Sequence, residues 1–229
     1  MNTFKMRNEK APSKSEETSQ RILEAALGLF RSKGFDSTTM RDIAHEAGVA
    51  TGAAYSYYES KDAIVMDFYR RSSAGMQARI EERLQGRSRL EDRLRELIGV
   101  KLAHFAPNRS VLRALLRNGA DPRHPLSPFS AQTKEIRDTD LVWFGRILED
   151  CGMRISKDLQ AHLPAVLWFF QMGVILFWVI DESPAQKRTA RLLDLATKSV
   201  CALIRISGLP LMRPVRRTAL ELVELVRGD

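Results

Sequence analysis

Apolar residues recur at helical spacing along most of the chain, and this pattern constrains the fold more than any other feature. Glycine, proline and short polar stretches divide the pattern into separate runs, and no stretch alternates apolar and polar residues as a half-buried strand does. The sequence therefore predicts an all-α protein of nine or ten helices. After a first helix that starts at a capping box of Ser13 and Glu16 and stops at Gly34, we expect helices over residues 39–47, 50–57, 61–84, 88–105, 110–118, 127–150, 159–180, 184–206 and 215–227.

The helical runs divide into two groups. The short runs before about residue 62 are typical of a small N-terminal domain of three helices, and the longer runs after it are typical of a larger helical bundle. We expect residues 1–14 to form a flexible basic arm, residues 15–62 to form the first domain and residues 63–229 to form the second.

The net charge of +8 is a weak argument for nucleic-acid binding, because residues 1–62 contain equal numbers of basic and acidic residues. Local placement is more informative at the N-terminal arm, where the basic residues outnumber a single acidic one. Such an arm can lie along phosphates or in a minor groove, although the same composition also suits a solvated tail. Its basic residues are Lys5, Arg7, Lys10 and Lys14.

One segment, residues 163–180, contains eighteen residues without a charge, which is the length at which a membrane span becomes possible. Pro164 and Gln171 lie inside the segment, and no second segment of this kind occurs. A helix that is apolar all round is also typical of a fully buried central helix. We expect the buried helix and no membrane partner. A helical scaffold or a membrane-associated protein is the alternative that this segment leaves open.

The chain shows no recognisable catalytic pattern, so we expect a protein that is not an enzyme and needs no cofactor or metal. It has no glycine-rich phosphate loop and no serine in a nucleophile elbow, and its histidines lack metal-ligand spacing. The two cysteines offer no disulfide framework, and the polar N-terminal segment lacks the apolar core of a signal peptide, so we expect the cytoplasm. The residues concerned are His45, His104, His124, His162, Cys151 and Cys201.

The pattern TMRDIAHEAGVATGAAYSYY, at residues 39–58, has the features of a helix-turn-helix. Thr39 caps the first of two short helices, and Gly48 between them permits a tight turn. Small residues open the second helix, so its backbone can approach DNA closely. The apolar seam between the two helices is formed by Ile43, Ala44, Ala47 and Val49.

These residues resemble the tetracycline-repressor (TetR) family of regulators. The resemblance is carried by RILEAALGLF followed by Gly34, then TTMRDIAHEAGVATGAAY, an aromatic pair, and SKD at the start of the fourth helix. It covers residues 18–70 and extends to the rest only through the all-helical layout. It implies a helix-turn-helix domain followed by a helical ligand-binding and dimerisation bundle, in a regulator that binds an operator in double-stranded DNA.

Carried over position by position, the resemblance implies a set of DNA contacts. Thr39 would meet a phosphate, Arg41 would contact backbone or bases, and Lys61 would anchor a phosphate. Tyr58 would lie in the core. Base-edge contacts would come from Thr51, Gly52 and Ala53, and further backbone contacts from Tyr55 and Tyr57.

Two positions depart from the family pattern in the second helix of the helix-turn-helix. Ala50 stands where the family usually has a serine cap, and Ala54 stands where a leucine usually packs. Both changes remove interactions that hold this helix. We therefore expect it to be held less firmly than is usual in the family.

The resemblance also implies a homodimer and a ligand pocket. The two long helices over residues 159–180 and 184–206 would form the dimer interface, so the operator would be pseudo-palindromic with half-sites roughly 34 Å apart. A small, mostly apolar effector would shift the dimer to a state that does not bind the operator. The helix over residues 61–84 would transmit this change from the pocket to the helix-turn-helix. We therefore expect a repressor. The candidate pocket residues are His104, Phe105, Trp143, Phe144, Ile147, Trp168, Phe169 and Met172.

Overall fold

The computed structural model describes residues 13–116, 119, 121–152, 155, 157–207, 209, 214, 217, 218 and 221. All regular elements within these residues are helical, which confirms the all-α prediction. The expected basic arm lies almost wholly outside the described residues, and so does most of the expected helix over residues 215–227. The α-helices are α1 Lys14–Ser32, α2 Met40–Glu46, α3 Thr51–Tyr57, α4 Lys61–Leu84, α5 Leu90–Phe105, α6 Arg109–Leu115, α7 Lys134–Asp150, α8 Lys157–Gln160, α9 Leu163–Ile180 and α10 Lys187–Ser207.

The chain forms two compact units, which divide within α4 between Phe68 and Tyr69. The first unit contains α1, α2, α3 and the start of α4. Its α1 begins with the expected capping box, in which the Ser13 side chain accepts from the backbone of Glu16 and the Glu16 side chain accepts from the backbone of Ser13. The core of this unit is built from one face of each helix and includes Ile22, Ala26, Phe30, Ile43 and Ala54.

The second unit is a bundle in which α9 packs against α5, α6, α7 and α10. Its main core cluster includes Leu94 and Leu97 of α5, Phe144 of α7, Leu167 of α9 and Cys201 of α10, all fully buried. Within the described residues, α9 alone is long and apolar enough to cross a membrane, and 44% of its residues are buried in this chain. Packing against four other helices accounts for the apolar residues on its buried sides, while the side that carries Gly173, Leu176 and Ile180 is exposed.

The structure corrects the expected start of the helix over residues 127–150. This helix begins at Lys134, and the residues before it form a series of turns. Hydroxyl groups satisfy the backbone there: Ser127 Oγ donates to the Gly119 carbonyl at 2.6 Å and Thr133 Oγ1 donates to the Ser127 carbonyl at 2.7 Å. These serine and threonine side chains offer the backbone partners that compete with a helix.

The two long helices of the expected dimer interface are also shorter than predicted. Residues 159–180 divide into α8 and α9, with Pro164 in the first turn of α9, where a missing N–H costs no hydrogen bond. Residues 184–186 form a 3-10 turn before α10 begins. Asp181 stabilises the connection between α9 and α10, because its carboxylate accepts hydrogen bonds from both the backbone N–H and the hydroxyl of Thr189, at 2.9 and 2.6 Å.

The expected helix over residues 110–118 begins one residue earlier and ends at Leu115. Residues 117 and 118 lie outside the described residues. The backbone N–H of Leu116 still bonds to the carbonyl of Leu112 at 2.9 Å, so this residue is the C-cap of α6.

Candidate nucleic-acid interface and ligand cavity

The start of α2 is held by reciprocal hydrogen bonds. Thr39 adopts an extended conformation, and its hydroxyl accepts from the backbone N–H of Asp42 at 3.1 Å, while Asp42 Oδ2 accepts from the backbone N–H of Thr39 at 2.8 Å. Lys33 Nζ lies 2.7 Å from the same carboxylate. The Lys33 ammonium first, and the Thr39 hydrogen bonds next, hold the pKa of Asp42 well below its usual range. Thr39 is thus a helix cap, as the sequence predicted.

The turn between α2 and α3 requires glycine. Gly48 has a φ of +65°, which lies in the left-handed region that other residues rarely adopt. The backbone N–H of Val49 then bonds to the carbonyl of Ala44 at 3.0 Å. Ile43, Ala44 and Ala47 are buried where α2 packs against α3. The two helices and the turn therefore have the arrangement of a helix-turn-helix.

The recognition helix, α3, lacks a side-chain cap at its N-terminus. Ala50 occupies the N-cap position and makes no side-chain hydrogen bond, while Ala54 is fully buried. The exposed side of α3 carries Gly52, with Tyr55 at 51% and Tyr57 at 38% exposure. Thr51 and Ala53 are half-buried. All the expected contact residues of α3 are therefore at least partly accessible. Thr39 and Arg41 are exposed at the start of α2.

Lys61 has an intramolecular role that the sequence did not reveal. Its ammonium donates to the Phe35 carbonyl at 2.7 Å and to the Asp36 carbonyl at 3.4 Å, and it lies 4.6 Å from the centre of the Phe35 ring. These contacts join the start of α4 to the turn between α1 and α2. An ammonium has three N–H groups, so at most one remains for the expected phosphate contact.

Tyr58 lies in the core, as predicted, and its hydroxyl is part of a buried polar contact. The oxygen lies 2.7 Å from Ser19 Oγ of α1 and donates to Asp67 Oδ2 of α4 at 2.6 Å. The residue just after α3 is thereby joined to two other helices of the first unit. Of three tyrosines in this segment, one packs inward and two, Tyr55 and Tyr57, face solvent.

The second unit contains a cavity of about 140 Å³ between residues of α4, α5, α6, α7 and α9 and the turns before α7. Its wall is mostly apolar. Three of the expected pocket residues, Phe105, Trp168 and Met172, line it. Further apolar wall residues come from α4, α6, α7, α9 and the turns before α7, and include Met76, Leu112, Leu126, Ile136 and Ile175.

The other five expected pocket residues do not line this cavity. Trp143, Phe144 and Ile147 belong to the main core cluster, because their side of α7 packs inside the bundle. The Phe169 ring packs on the Phe129 and Trp168 rings, and the His104 ring packs edge-on against Phe105. Burial first, and nearby Arg79 next, lower the pKa of His104.

A buried polar cluster in the cavity wall was missed by the sequence analysis. Lys101 Nζ lies 2.6 Å from Asp140 Oδ1, and Gln171 Nε2 donates to Asp140 Oδ2 at 2.8 Å. Burial lowers the pKa of Lys101, while the neighbouring Asp140 opposes this shift. Lys101 and Asp140 resemble surface charges in the sequence, since no local pattern shows that α5 and α7 bring them together. Gln171 was the one residue of this cluster that the sequence made conspicuous, because it is a polar amide inside the charge-free segment.

The turns before α7 form part of the cavity wall and are held by Arg137. Its guanidinium donates to the Pro128 carbonyl at 2.7 Å and lies over the Trp168 ring, 5.9 Å from its centre. Phe129 remains partly exposed and packs edge-on against Trp168 with ring centres 5.5 Å apart. Arg137 and the aromatic rings therefore fix this part of the wall.

Exposed apolar side chains lie along one side of α9 and one side of α10. The exposed positions in α9 are Gly173, Leu176 and Ile180, which recur at helical spacing. Those in α10 are Leu195, Leu203 and Ile206, among which Leu203 is 64% exposed. Two neighbouring helices thus present apolar surface that the described residues leave uncovered.

Comparison with known protein families gives a match over both units. Residues 22–67 match the family described as bacterial regulatory proteins, tetR family. Residues 93–222, more than half of the chain, match the tetracyclin repressor-like C-terminal domain. The first match contains the whole helix-turn-helix, and the second contains most of the residues that line the cavity and both helices with exposed apolar sides.

Curated relatives match part of the chain. The HTH-type transcriptional regulator YerO of Bacillus subtilis is 32% identical over 111 residues, which are 47% of this chain and 38% of the relative. AcrR of Shigella flexneri is 34% identical over 67 residues, or 29% of this chain and 31% of that regulator. The matched part of the chain therefore spans well under half the length of these relatives.

Solved structures share the fold over most of the chain. A tetR-family regulatory protein from Rhodococcus RHA1 has a TM-score of 0.55 at 25% identity, covering 82% of this chain and 97% of that one. The TetR transcriptional regulator from Nitrosomonas europaea has a TM-score of 0.62 at 18% identity, covering 79% and 96% of the two chains. Both likenesses extend through the second unit.

Proposed function

Because this chain belongs to the tetR family of bacterial regulatory proteins, we propose that it is a repressor which binds a pseudo-palindromic operator as a homodimer. A small, mostly apolar effector releases it. The family consists of helix-turn-helix transcriptional regulators that bind DNA. The observation that carries the proposal is α3, a short helix with an exposed side that follows the Gly48 turn and packs on α2.

The exposed side of the helix-turn-helix provides the proposed DNA contacts. Thr51, Gly52 and Ala53 read base edges in the major groove, where the lack of bulk lets the backbone approach and the Ala53 methyl can meet a thymine methyl. The backbone contacts come from residues around them, which fix the position of α3 on the duplex without reading sequence. These are Thr39, Arg41, Tyr55 and Tyr57; the Lys61 ammonium is instead engaged by the Phe35 and Asp36 carbonyls.

The exposed apolar sides of α9 and α10 support the homodimer. Fewer than half of the residues of α9 are buried in one chain, and Leu176 and Leu203 are each more than half exposed. A second copy would cover this surface, and Gly173 would let two backbones cross closely. Such a dimer has two-fold symmetry, so its two recognition helices meet half-sites about one helical turn, roughly 34 Å, apart.

The cavity of the second unit is the proposed effector site. Its wall combines apolar and aromatic side chains with a few polar groups, as small-molecule sites usually do. Helix α4 provides the proposed connection, since it carries Asp67 beside Tyr58 and, further along, the cavity residues Tyr69, Ser73 and Met76. Turning a 99:1 preference into 1:99 requires about 5.5 kcal/mol of differential effector affinity.

We further propose that the protein works in the cytoplasm without an enzymatic activity or a cofactor. Its family is one of transcriptional regulators, and within the described residues no group of three or more histidine, cysteine or acidic side chains could hold a metal ion. The single apolar helix α9 is assigned to the dimer, so no membrane partner is needed.

Selection of bound sequences from a random duplex pool tests this function. We expect purified protein to enrich a pseudo-palindrome, and Tyr55→Ala and Arg41→Ala to weaken the binding of that duplex. Arg146→Ala, an exposed arginine of the second unit, is the matched control and should bind normally. Binding that depends on salt but selects no sequence would contradict the proposal.

A further inference from the structure

Two atoms of the polar cluster in the cavity wall are incompletely paired: Gln171 Oε1 and Lys101 Nζ. Gln171 is 1% exposed, and its Oε1 accepts no hydrogen bond from any described residue. Lys101 is 4% exposed, and beyond the ion pair with Asp140 its ammonium has no hydrogen-bond partner in the described part of the chain. Unpaired polar atoms that are shielded from water are costly and uncommon in native proteins. Both residues line the cavity, so a bound molecule can supply their partners.

The two atoms require opposite properties of that molecule. Gln171 Oε1 needs a donor, because an amide oxygen can only accept; the amide nitrogen of the same side chain donates to Asp140. The Lys101 ammonium needs an acceptor, because an ammonium can only donate. A hydroxyl group is both a donor and an acceptor at one oxygen. Because Gln171 and Lys101 both line the cavity, one hydroxyl group bound there can meet both requirements.

Resting on the proposed function, we propose that the effector is a small, neutral, mostly apolar molecule with one hydroxyl group that pairs with Gln171 and Lys101. The hydroxyl hydrogen is donated to Gln171 Oε1, and its oxygen accepts from Lys101 Nζ. The apolar body of the molecule packs on the remaining wall, which includes Trp168 and Ile175.

The charges around the cavity favour a neutral group. Lys101 and Asp140 balance each other at 2.6 Å. Arg137, the third charged wall residue, donates to two carbonyl groups of the turns before α7 and lies over the Trp168 ring. A carboxylate would bring no hydrogen to Gln171 Oε1 and would lie near the Asp140 carboxylate. An ammonium would leave the Lys101 N–H groups unpaired and face a like charge.

The cavity accommodates an apolar body of about one ring. Its volume of about 140 Å³ is close to that of an apolar protein cavity of roughly 150 Å³ that binds benzene. Phenol is therefore the simplest probe with the required shape and chemistry. Anisole has the same ring and an acceptor oxygen but no donor, and benzoate has the ring with a carboxylate.

Calorimetric titration of the full chain with phenol, anisole and benzoate, in the absence of DNA, tests the inference. We expect phenol to bind with a dissociation constant on the order of 1 mM or below, and about tenfold more tightly than anisole or benzoate. Equal binding of phenol and anisole, tighter binding of benzoate, or no binding of phenol would overturn it. This comparison uses the unaltered protein, so it does not depend on how any variant folds.

Two variants assign the preference to the cluster. Gln171→Met keeps the length of the side chain but removes the acceptor. The tenfold preference for phenol over anisole should therefore disappear, so that the two probes bind about equally. Ile175→Val is the matched control: it trims the apolar wall and should weaken both probes equally, leaving their ratio unchanged. If Gln171→Met kept the full preference, recognition by the cluster would be wrong.

An operator-release assay separates this inference from the proposed function. The duplex selected above is titrated with the protein, with and without phenol, and followed by fluorescence anisotropy. We expect phenol to release the duplex and anisole to release it far less. If no probe binds while the protein still selects a pseudo-palindrome, the hydroxyl inference fails and the DNA-binding function stands. If phenol binds selectively without releasing DNA, the cluster is confirmed as a ligand site and its regulatory role is overturned.

Discussion

The Tyr58 hydroxyl donates a hydrogen bond of 2.6 Å to the carboxylate of Asp67, and this contact ties the residue after the recognition helix to α4. The same hydroxyl lies 2.7 Å from Ser19 Oγ in α1. At the opposite end of α3, Ala50 supplies no side-chain cap. The recognition helix is therefore held firmly after its last residue and weakly before its first.

Removal of the Tyr58 hydroxyl should destabilise the first unit. Tyr58→Phe keeps the buried ring but leaves the half-buried Asp67 carboxylate without this donor, so we expect a loss of about 1–2 kcal/mol in the free energy of unfolding. Urea denaturation followed by circular dichroism measures this loss. Tyr57→Phe removes an exposed hydroxyl one residue away and should leave the stability unchanged; equal effects of the two substitutions would contradict the assignment.

A cap added at position 50 should stabilise the recognition helix. The backbone at Ala50 has φ −64° and ψ 145°, which is the extended conformation of an N-cap. We expect Ala50→Thr to raise the free energy of unfolding by about 0.5–1 kcal/mol relative to Ala50→Val, since valine has the same shape without the hydroxyl. Thermal denaturation of the two variants in parallel measures the difference, and no difference between them would mean that the hydroxyl does not cap α3.

Arg41 and Lys61 should differ in how they affect the salt dependence of DNA binding. Arg41 is exposed, so Arg41→Ala should reduce the magnitude of the negative slope of log affinity against log salt concentration by about 1, as the loss of one phosphate contact does. Lys61 is engaged by the Phe35 carbonyl, so Lys61→Ala should lower stability and leave the slope nearly unchanged. Anisotropy titrations at several salt concentrations give both slopes. A clear drop in slope for Lys61→Ala would instead support the phosphate contact expected from the sequence.

The capping carboxylate of α2 should make stability depend on acidic pH. The pKa of Asp42 is lowered in the folded protein, first by Lys33 and then by Thr39, so its charged form favours folding. This contribution is present above the ordinary aspartate pKa of about 3.9 and is lost as the pH falls below it toward the lowered value. Asp42→Asn should lack this part of the pH dependence. Denaturation curves from neutral to strongly acidic pH compare the two proteins, and parallel curves would show that Asp42 contributes nothing.

The apolar side of α10 should be necessary for dimer formation. Leu203→Glu places a charge on a residue that is 64% exposed in one chain, so a second copy could cover it only by burying that charge. We expect a monomer by sedimentation velocity and a loss of operator affinity of at least about 100-fold, because one recognition helix is lost from each complex. Val142→Glu, on α7 and 55% exposed, is the control and should remain dimeric. A dimeric Leu203→Glu would move the interface elsewhere.

Features that depend on neighbouring residues in the chain were predictable. The Thr39 cap and the Gly48 turn follow from local spacing and backbone preference, and the inward position of Tyr58 was implied by the resemblance to the TetR family; the structure confirms all three. The start of α7 was predicted too early, because Ser127 and Thr133 use their hydroxyl groups to satisfy the backbone in turns. The helical spacing of apolar residues does not show that side-chain hydroxyl groups compete with the helix for backbone hydrogen bonds.

The sequence by itself determined that the chain is helical and that residues 39–58 form a helix-turn-helix, because helical periodicity, caps and a left-handed glycine act within a few residues of one another. Only the tertiary structure decided which aromatic residues line the cavity and which pack in the core, since Trp143 and Trp168 are alike in local sequence terms. It also brought Lys101, Asp140 and Gln171 together from three helices. Such contacts depend on how helices that are distant in the sequence pack together. The sequence contains no periodic pattern that indicates which of these distant residues will meet.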